Sequence, residues 1–370
     1  MRINLKLSTT FYMLAIAVMV IAGMVYGKGF FIPFLFGVLL SMLMLPVCAW
    51  IEKKGLPRGI GIAASIILIY LVVAAILTLF SFQIANFAED APELSNKLME
   101  KFHNVQSFIE EKFGVTANEQ TAYIQERLQA LGGQASGMAT NFLGGLANSF
   151  ANMAIVTVFI IFFLIYREKF KIFFLQLVSS DNHDQAKAIM YKTSKVTQQY
   201  LTGVFTVIII LAILNSVGLL VLGIQHAVFF GVLAAILNII PYIGVFIGSL
   251  LPILMALLTK DSFGPVVGVG LLFMVNQMIE NNILTPMITG SRVKINPMAT
   301  LMVIIIGSEI WGVAGMILFI PLLGITKIVC DHVPQLQPVG FLIGEEGRSD
   351  ETTVLQRLKA FILRKKKKAA

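Results

Sequence analysis

Long apolar runs recur along this chain and leave few folds open to it. Residues 30–50, 59–82, 201–222 and 298–329 are each apolar over at least the ~18 residues that mark a membrane-spanning helix. Hydrophobic residues make up 57% of the chain and charged ones 13%, against about 25% charged in soluble domains. Shorter runs at residues 11–26, 150–166 and 262–278, and a long run at 227–258 interrupted near its middle, complete the pattern. The expected fold is all-α: a polytopic membrane protein with about eight transmembrane helices, some discontinuous or re-entrant. Gly27-Lys28-Gly29 leads straight from the first run into the second with no small-x-small cleavage site, so the first run reads as a retained helix.

The formal charge of +8 could suggest a nucleic-acid partner. Its placement argues against one, because the basic residues sit beside apolar runs and in the run Arg364-Lys365-Lys366-Lys367-Lys368. That distribution suits loops facing an anionic cytoplasmic leaflet. With a cytoplasmic N-terminus, the basic loop 52–58, the basic stretch 167–195 and the tail all fall inside, and an acidic stretch at 83–146 falls outside. Both termini are then cytoplasmic. Arg292 and Lys294 are the exception, falling on the outer side or in a re-entrant dip.

The organisation follows. Residues 1–82 carry the first three helices, and 83–146 form a helical extramembrane module on the extracytoplasmic side. Residues 147–330 form the core, with an amphipathic segment at 167–200 and broken helices near 238–252 and 276–297; residues 331–370 form a basic cytoplasmic tail.

Polar residues at membrane depth are expensive and mark function by default. The densest set opens a Pro-punctuated segment: Asn276, Gln277, Glu280, Asn281, Pro286, Gly290, Arg292, Lys294 and Pro297. Asn276 and Glu280 lie four apart and share a helix face, with Gln277 and Asn281 on the neighbouring stripe. Proline lacks an N–H, so Pro286 and Pro297 free carbonyls and helix ends that can meet a polar solute. Asn238, Pro241, Tyr242 and Gly244 mark a second break, and Glu309 interrupts the last run. Glu280 reads either as a carrier of a proton, cation or hydroxyl-bearing substrate, or as a structural partner of Arg292 or Lys294. Cys48, Cys330 and the four histidines make no metal-ligand spacing, and no phosphate loop, dinucleotide fingerprint or nucleophile elbow appears. Neither an enzyme nor a cofactor is expected.

Several motifs carry a resemblance: Pro241-Tyr242-Ile243-Gly244, the run from Asn276 to Pro286, Gly290, Asn296-Pro297 and Asp331-His332-Val333-Pro334, with Gly312 and Pro321 near the end. The chain resembles the autoinducer-2 exporter-like family over nearly its whole length. That resemblance implies an oligomeric transporter of the bacterial or archaeal inner membrane, with membrane lipids and a small-molecule or cation substrate as its partners and no nucleic acid. It also implies that Pro241, Tyr242, Gly244, Asn276, Glu280, Asn281, Pro286, Gly290 and Pro297 belong to the working region. Arg292-Val293-Lys294 is more basic than the family pattern. The function expected is export of a small polar metabolite such as the autoinducer-2 signal by alternating access. Sodium(lithium)/proton antiport and a channel-like or scaffold oligomer are the alternatives.

Overall fold

The computed structural model describes residues 7–113, 153–240, 243–289 and 295–345. These are helical almost throughout: α1 (Leu7–Tyr26), α2 (Lys28–Lys53), α3 (Arg58–Phe113), α4 (Met153–Ile165), α5 (Arg167–Gln176), α6 (His183–Val221), α7 (Ala227–Leu237), α8 (Ile243–Thr259), α9 (Phe263–Ile279), α10 (Pro297–Trp311), α11 (Val313–His332) and α12 (Gln337–Ile343). Among the described residues the one β contact is an isolated bridge between Ile295 and Gly344. Lys28–Lys53, Arg58–Gln83, Ser180–Val221, Phe263–Ile288 and Val313–His332 are long and apolar enough to cross a membrane, and shorter apolar helices pack among them. The expected all-α, polytopic architecture holds.

α6 shows how such a sequence sorts itself. Val207, Leu211, Asn215 and Leu219, spaced four apart, are buried, while Phe205, Ile209, Ile213 and Val217 are exposed. Apart from Asn215 both stripes are apolar, because lipid tails solvate Ile as well as a protein interior does. Packing decides which stripe turns inward. Leu219 joins Ile224, Ala227, Phe230, Met255, Ala256 and Val269 in a core that binds α6 to α9 into one body. A second core, of Cys48, Ile62, Ile160 and Leu164, joins α2, α3 and α4. At its end Glu52 accepts from Arg167 and lies 3.6 Å from Arg58, whose guanidinium donates to the Ile165 carbonyl at 3.0 Å.

The structure changes several of the sequence-based boundaries. The span expected at residues 59–82 falls within Arg58–Gln83, and α3 runs on from it to Phe113, 56 residues in all, about 84 Å if straight. Lys101, far along it, donates to the Lys260 carbonyl at 3.1 Å in the α8–α9 turn. Residues 114–146 of the expected module lie outside the described residues, as does the tail from 346 onward. The amphipathic stretch divides. α5 carries exposed Phe170, Ile172, Phe173 and Phe174, whereas residues 183–200 are the first half of α6.

The final apolar run is two helices, not one. α10 and α11 reverse at Gly312, whose φ of 60° and ψ of −138° suit only glycine. They then pack backbone to backbone, since a Cβ on Gly315 would sit 1.9 Å from the Gly307 carbonyl oxygen. The reversal reaches the α1–α2 turn, where Trp311 Nε1 donates to the Met24 carbonyl at 2.9 Å. Both outer ends of the hairpin lie together, because Ile295 bridges Gly344 and Asn296 Nδ2 donates to the Leu342 carbonyl at 2.7 Å. Counting residues 298–329 as a single crossing had made Arg292 and Lys294 an exception to the charge rule. The hairpin removes that basis, and the two residues themselves lie outside the described residues.

Candidate functional site

The site is built where an interrupted helix meets a widened one. α7 stops at Leu237 because Ile239 and Ile240 donate three residues back, to Ile236 at 3.1 Å and Leu237 at 2.8 Å, tightening the last turn. α8 then folds back along α7. A Cβ on Gly244 would lie 1.7 Å from the Leu237 carbonyl oxygen, and one on Gly248 would lie 2.9 Å from the Ala234 Cα. Glycine at these positions is what allows so close a return. Pro241 and Tyr242, expected in this break, lie outside the described residues. The 11 residues of α7 rise only about 16 Å, short of a ~30 Å hydrocarbon core. The pair is therefore a short helical hairpin with Asn238 near its tip.

Facing that tip, α9 runs into ten residues of π-helix, Glu280–Thr289. Pro286 lies inside this segment and supplies no N–H, which disfavours regular α-helical bonding there. Asn282 Nδ2 donates to the Met278 carbonyl at 2.8 Å as the helix widens. Leu284 and Ile288 hold the widened segment against Val207, Leu211 and Ala235 of α6 and α7. The expected break between 276 and 297 is thus a continuous but re-wound helix as far as Thr289. Gly290, Arg292 and Lys294 lie outside the described residues.

Three amide side chains and one carboxylate meet at this junction. Asn238 Nδ2 donates to Glu280 Oε1 at 2.7 Å, and Gln277 Nε2 donates to Glu280 Oε2 at 3.0 Å. Gln277 also reaches Asn281 Oδ1 at 3.2 Å. Each carboxylate oxygen therefore has an amide donor from a different element, and no Lys or Arg pairs with Glu280 among the described residues. Its expected alternative partners, Arg292 and Lys294, are not described. Glu280 is half-buried, whereas Asn281 and Pro286 are exposed.

Sequence reading missed one further polar position, Asn215. Asn276 Nδ2 donates to Asn215 Oδ1 of α6 at 2.8 Å, and both residues are buried. The signal was available, since Asn215 is a lone amide within the run 201–222, but its partner lies 61 residues away. Asn215, Asn238, Asn276, Gln277 and Glu280 together line a small cavity, with room for about one water and with Phe273 and Ala234 as apolar walls. Such a site offers hydrogen bonds and one carboxylate to a water-sized polar group.

The remaining expected residues do not join this cluster. Pro297 is the first residue of α10, where its missing N–H costs nothing, and Asn296 Oδ1 caps that helix by accepting from the Ala299 N–H at 2.6 Å. Glu309 is exposed near the Gly312 reversal and makes no polar contact among the described residues. No group of three or more His, Cys, Asp or Glu residues that could hold a metal occurs among the described residues.

Comparison with known proteins covers nearly the whole chain. The family model described as AI-2E family transporter matches residues 14–335. A Haemophilus influenzae protein (strain ATCC 51907 / DSM 11121 / KW20 / Rd) named "Putative transport protein" is 24% identical over 93% of this chain and 99% of its own length. "Putative transport protein YrrI" of Bacillus subtilis (strain 168) is 24% identical over 82% of this chain and 87% of its own. "AI-2 transport protein TqsA" of Escherichia coli (strain K12) is 21% identical over 90% of this chain and 94% of its own.

Proposed function

The chain belongs to the AI-2E transporter family, and from that membership we propose that it exports a small polar metabolite by alternating access. It is a multi-pass membrane protein of a transporter family whose named relatives are transport proteins. The proposed substrate class is that of the autoinducer-2 signal, which the name of the Escherichia coli relative carries. The proposed setting is a bacterial or archaeal inner membrane, with both termini cytoplasmic, the 83–146 module outside and the chain in a homo-oligomer.

The observation that supports this reading is the contact between Asn238 and Glu280 across the cavity wall. It joins the tip of a helical hairpin to a re-wound helix, both of which are irregular at one point. Irregular backbone beside a polar cavity is the usual construction of a transporter site. Movement of the α7–α8 hairpin against α9 would break that contact and expose the carboxylate, giving the site two states. Asn276, Gln277 and Asn281 serve the same pathway, and Pro241, Tyr242, Gly244, Pro286, Gly290 and Pro297 shape its backbone. Arg292 and Lys294 supply charge at its end.

Sodium(lithium)/proton antiport is the second reading, favoured by a carboxylate whose partners among the described residues are neutral amides. Purified protein in liposomes with an imposed pH gradient separates the two. Uptake of autoinducer-2 without cation dependence supports export, whereas proton movement triggered only by sodium or lithium replaces it with antiport. Silence for both favours a channel-like or scaffold oligomer.

A further inference from the structure

We propose that α5 and the α2–α3 turn together form a docking surface for anionic phospholipid headgroups, with α5 lying flat in the membrane interface. The proposal is independent of what the chain carries. The apolar helix α4 ends at Ile165, and α5 leaves it after a bend at Tyr166. No residue of α5 is buried. Phe170, Phe173, Phe174 and Leu177 fall at the i, i+3, i+4 and i+7 positions of one helix face and are between 40% and 67% exposed. Lys169 borders that face on one side, and Arg167 and Lys171 border it on the other. A short helix with an apolar stripe between basic flanks, starting at the end of an apolar helix, is built to lie along a leaflet.

Charge decides what covers the stripe. Glu52 accepts from Arg167 and lies 3.6 Å from Arg58, which donates to the Ile165 carbonyl at 3.0 Å. These contacts make the α2–α3 turn and α5 one surface. It carries Lys53, Lys54, Arg58, Arg167, Lys169 and Lys171 against only Glu52 and Glu168. Glu52 is taken up by the two arginines, and Glu168 lies 3.8 Å from Lys171. Lys53, Lys54 and Lys169 are exposed and make no ion pair among the described residues. Lys54 sits 3.5 Å from the centre of the Trp50 ring and Lys169 5.2 Å from that of Tyr166, and both rings are exposed. Indole and phenol rings settle at headgroup depth, where a lysine stem can lift its ammonium to a phosphate. A second copy would set the same net-positive surface against itself. A soluble acidic partner would meet the lysines but leave the apolar stripe uncovered. An anionic leaflet satisfies both.

The test is lipid retention by the purified full-length chain in detergent, read by native mass spectrometry with phosphatidylglycerol against phosphatidylcholine. The parent is expected to retain phosphatidylglycerol in preference, and high salt to weaken that preference. Each lysine near an anionic surface contributes roughly fivefold in affinity. K53Q/K54Q/K169Q is therefore expected to bind phosphatidylglycerol about tenfold more weakly or worse, with its unfolding midpoint in phosphatidylcholine unchanged. Glycerol phosphate, the headgroup without its chains, is expected not to displace the lipid. A second readout leaves every charge in place. Cys48 and Cys330 are buried, so a thiol-reactive fluorophore attached after Phe173→Cys reports on α5 alone. In bilayers it is expected to be quenched by lipids brominated on their acyl chains and shielded from aqueous iodide.

Equal retention of both lipids by the parent, or parent-like retention by K53Q/K54Q/K169Q, would overturn the proposal. Displacement of the lipid by glycerol phosphate would make this a site for soluble phosphate instead. A label open to iodide would put the face of α5 in water, where an acidic protein could reach it. A label shielded only as the ratio of protein to lipid rises would assign that face to a second copy.

Discussion

Replacing Glu280 with Gln changes one oxygen to nitrogen at nearly constant volume, which makes it the sharpest perturbation of the site. The carboxylate accepts from Asn238 at 2.7 Å and from Gln277 at 3.0 Å. A Gln side chain offers one oxygen, so one of these donors meets an NH₂ group. Hydrogen bonds to charged groups contribute about 1.5–3 kcal/mol each. Rotation of the facing amide can present its own oxygen and recover about 1 kcal/mol of that loss. The net cost is therefore about 1–2 kcal/mol, small enough for the variant to fold, insert and purify. Transport should suffer far more, because the group that can take up and release a proton has gone. In liposomes with an imposed pH gradient, we expect flux at least tenfold below the parent and indifferent to the gradient. Equal flux by a folded variant and its parent on both sides of neutrality would refute the coupling role. A variant that fails to accumulate in the membrane would instead make Glu280 a structural residue.

Other outcomes follow from the backbone and the ion cluster. Gly244→Ala places a methyl group 1.7 Å from the Leu237 carbonyl oxygen; opening the hairpin tip to admit it should cost at least the ~1–3 kcal/mol of core overpacking, read as a lowered unfolding midpoint with reduced transport. Gly312→Ala forces a residue with a Cβ into φ 60°, a strain of about 1–3 kcal/mol; the change should appear as increased protease sensitivity at the α10–α11 reversal. Arg167→Gln removes the charge that ties α5 to Glu52. For a partly exposed pair the loss should be about 1 kcal/mol, visible as a smaller unfolding shift on adding salt than the parent shows.

The parts of this structure that were legible in the sequence are those set by local composition. The apolar runs mark the helices, and the break after Leu237 carries Asn238 and Pro241 as its signal. The polar stripe of Asn276, Gln277 and Glu280 is visible because helical spacing alone puts those residues together. What was not legible depends on contacts between distant residues. The α10–α11 reversal rests on Gly307 meeting Gly315, and an apolar run interrupted at Glu309 gives little sign of that meeting. Asn215 becomes a site residue only through Asn276. α3 runs on past its apolar part because a polar composition marks where lipid ends, while Glu, Lys and Ala continue a helix in water readily. Membrane boundary and helix end are separate physical events, and composition reports only the first.

The α10–α11 hairpin also sets the order in which the protein can be made. α10 has 15 residues, about 22 Å of helix, which is short for a ~30 Å core on its own. Its outer ends meet on one side, so ribosome and insertion machinery must deliver α10 and α11 as a unit. Trp311, at the tip of that unit, donates to the carbonyl of Met24 in the first helix, 287 residues earlier. α1 therefore gains this anchor only after the stretch between Met24 and Trp311 has been synthesised.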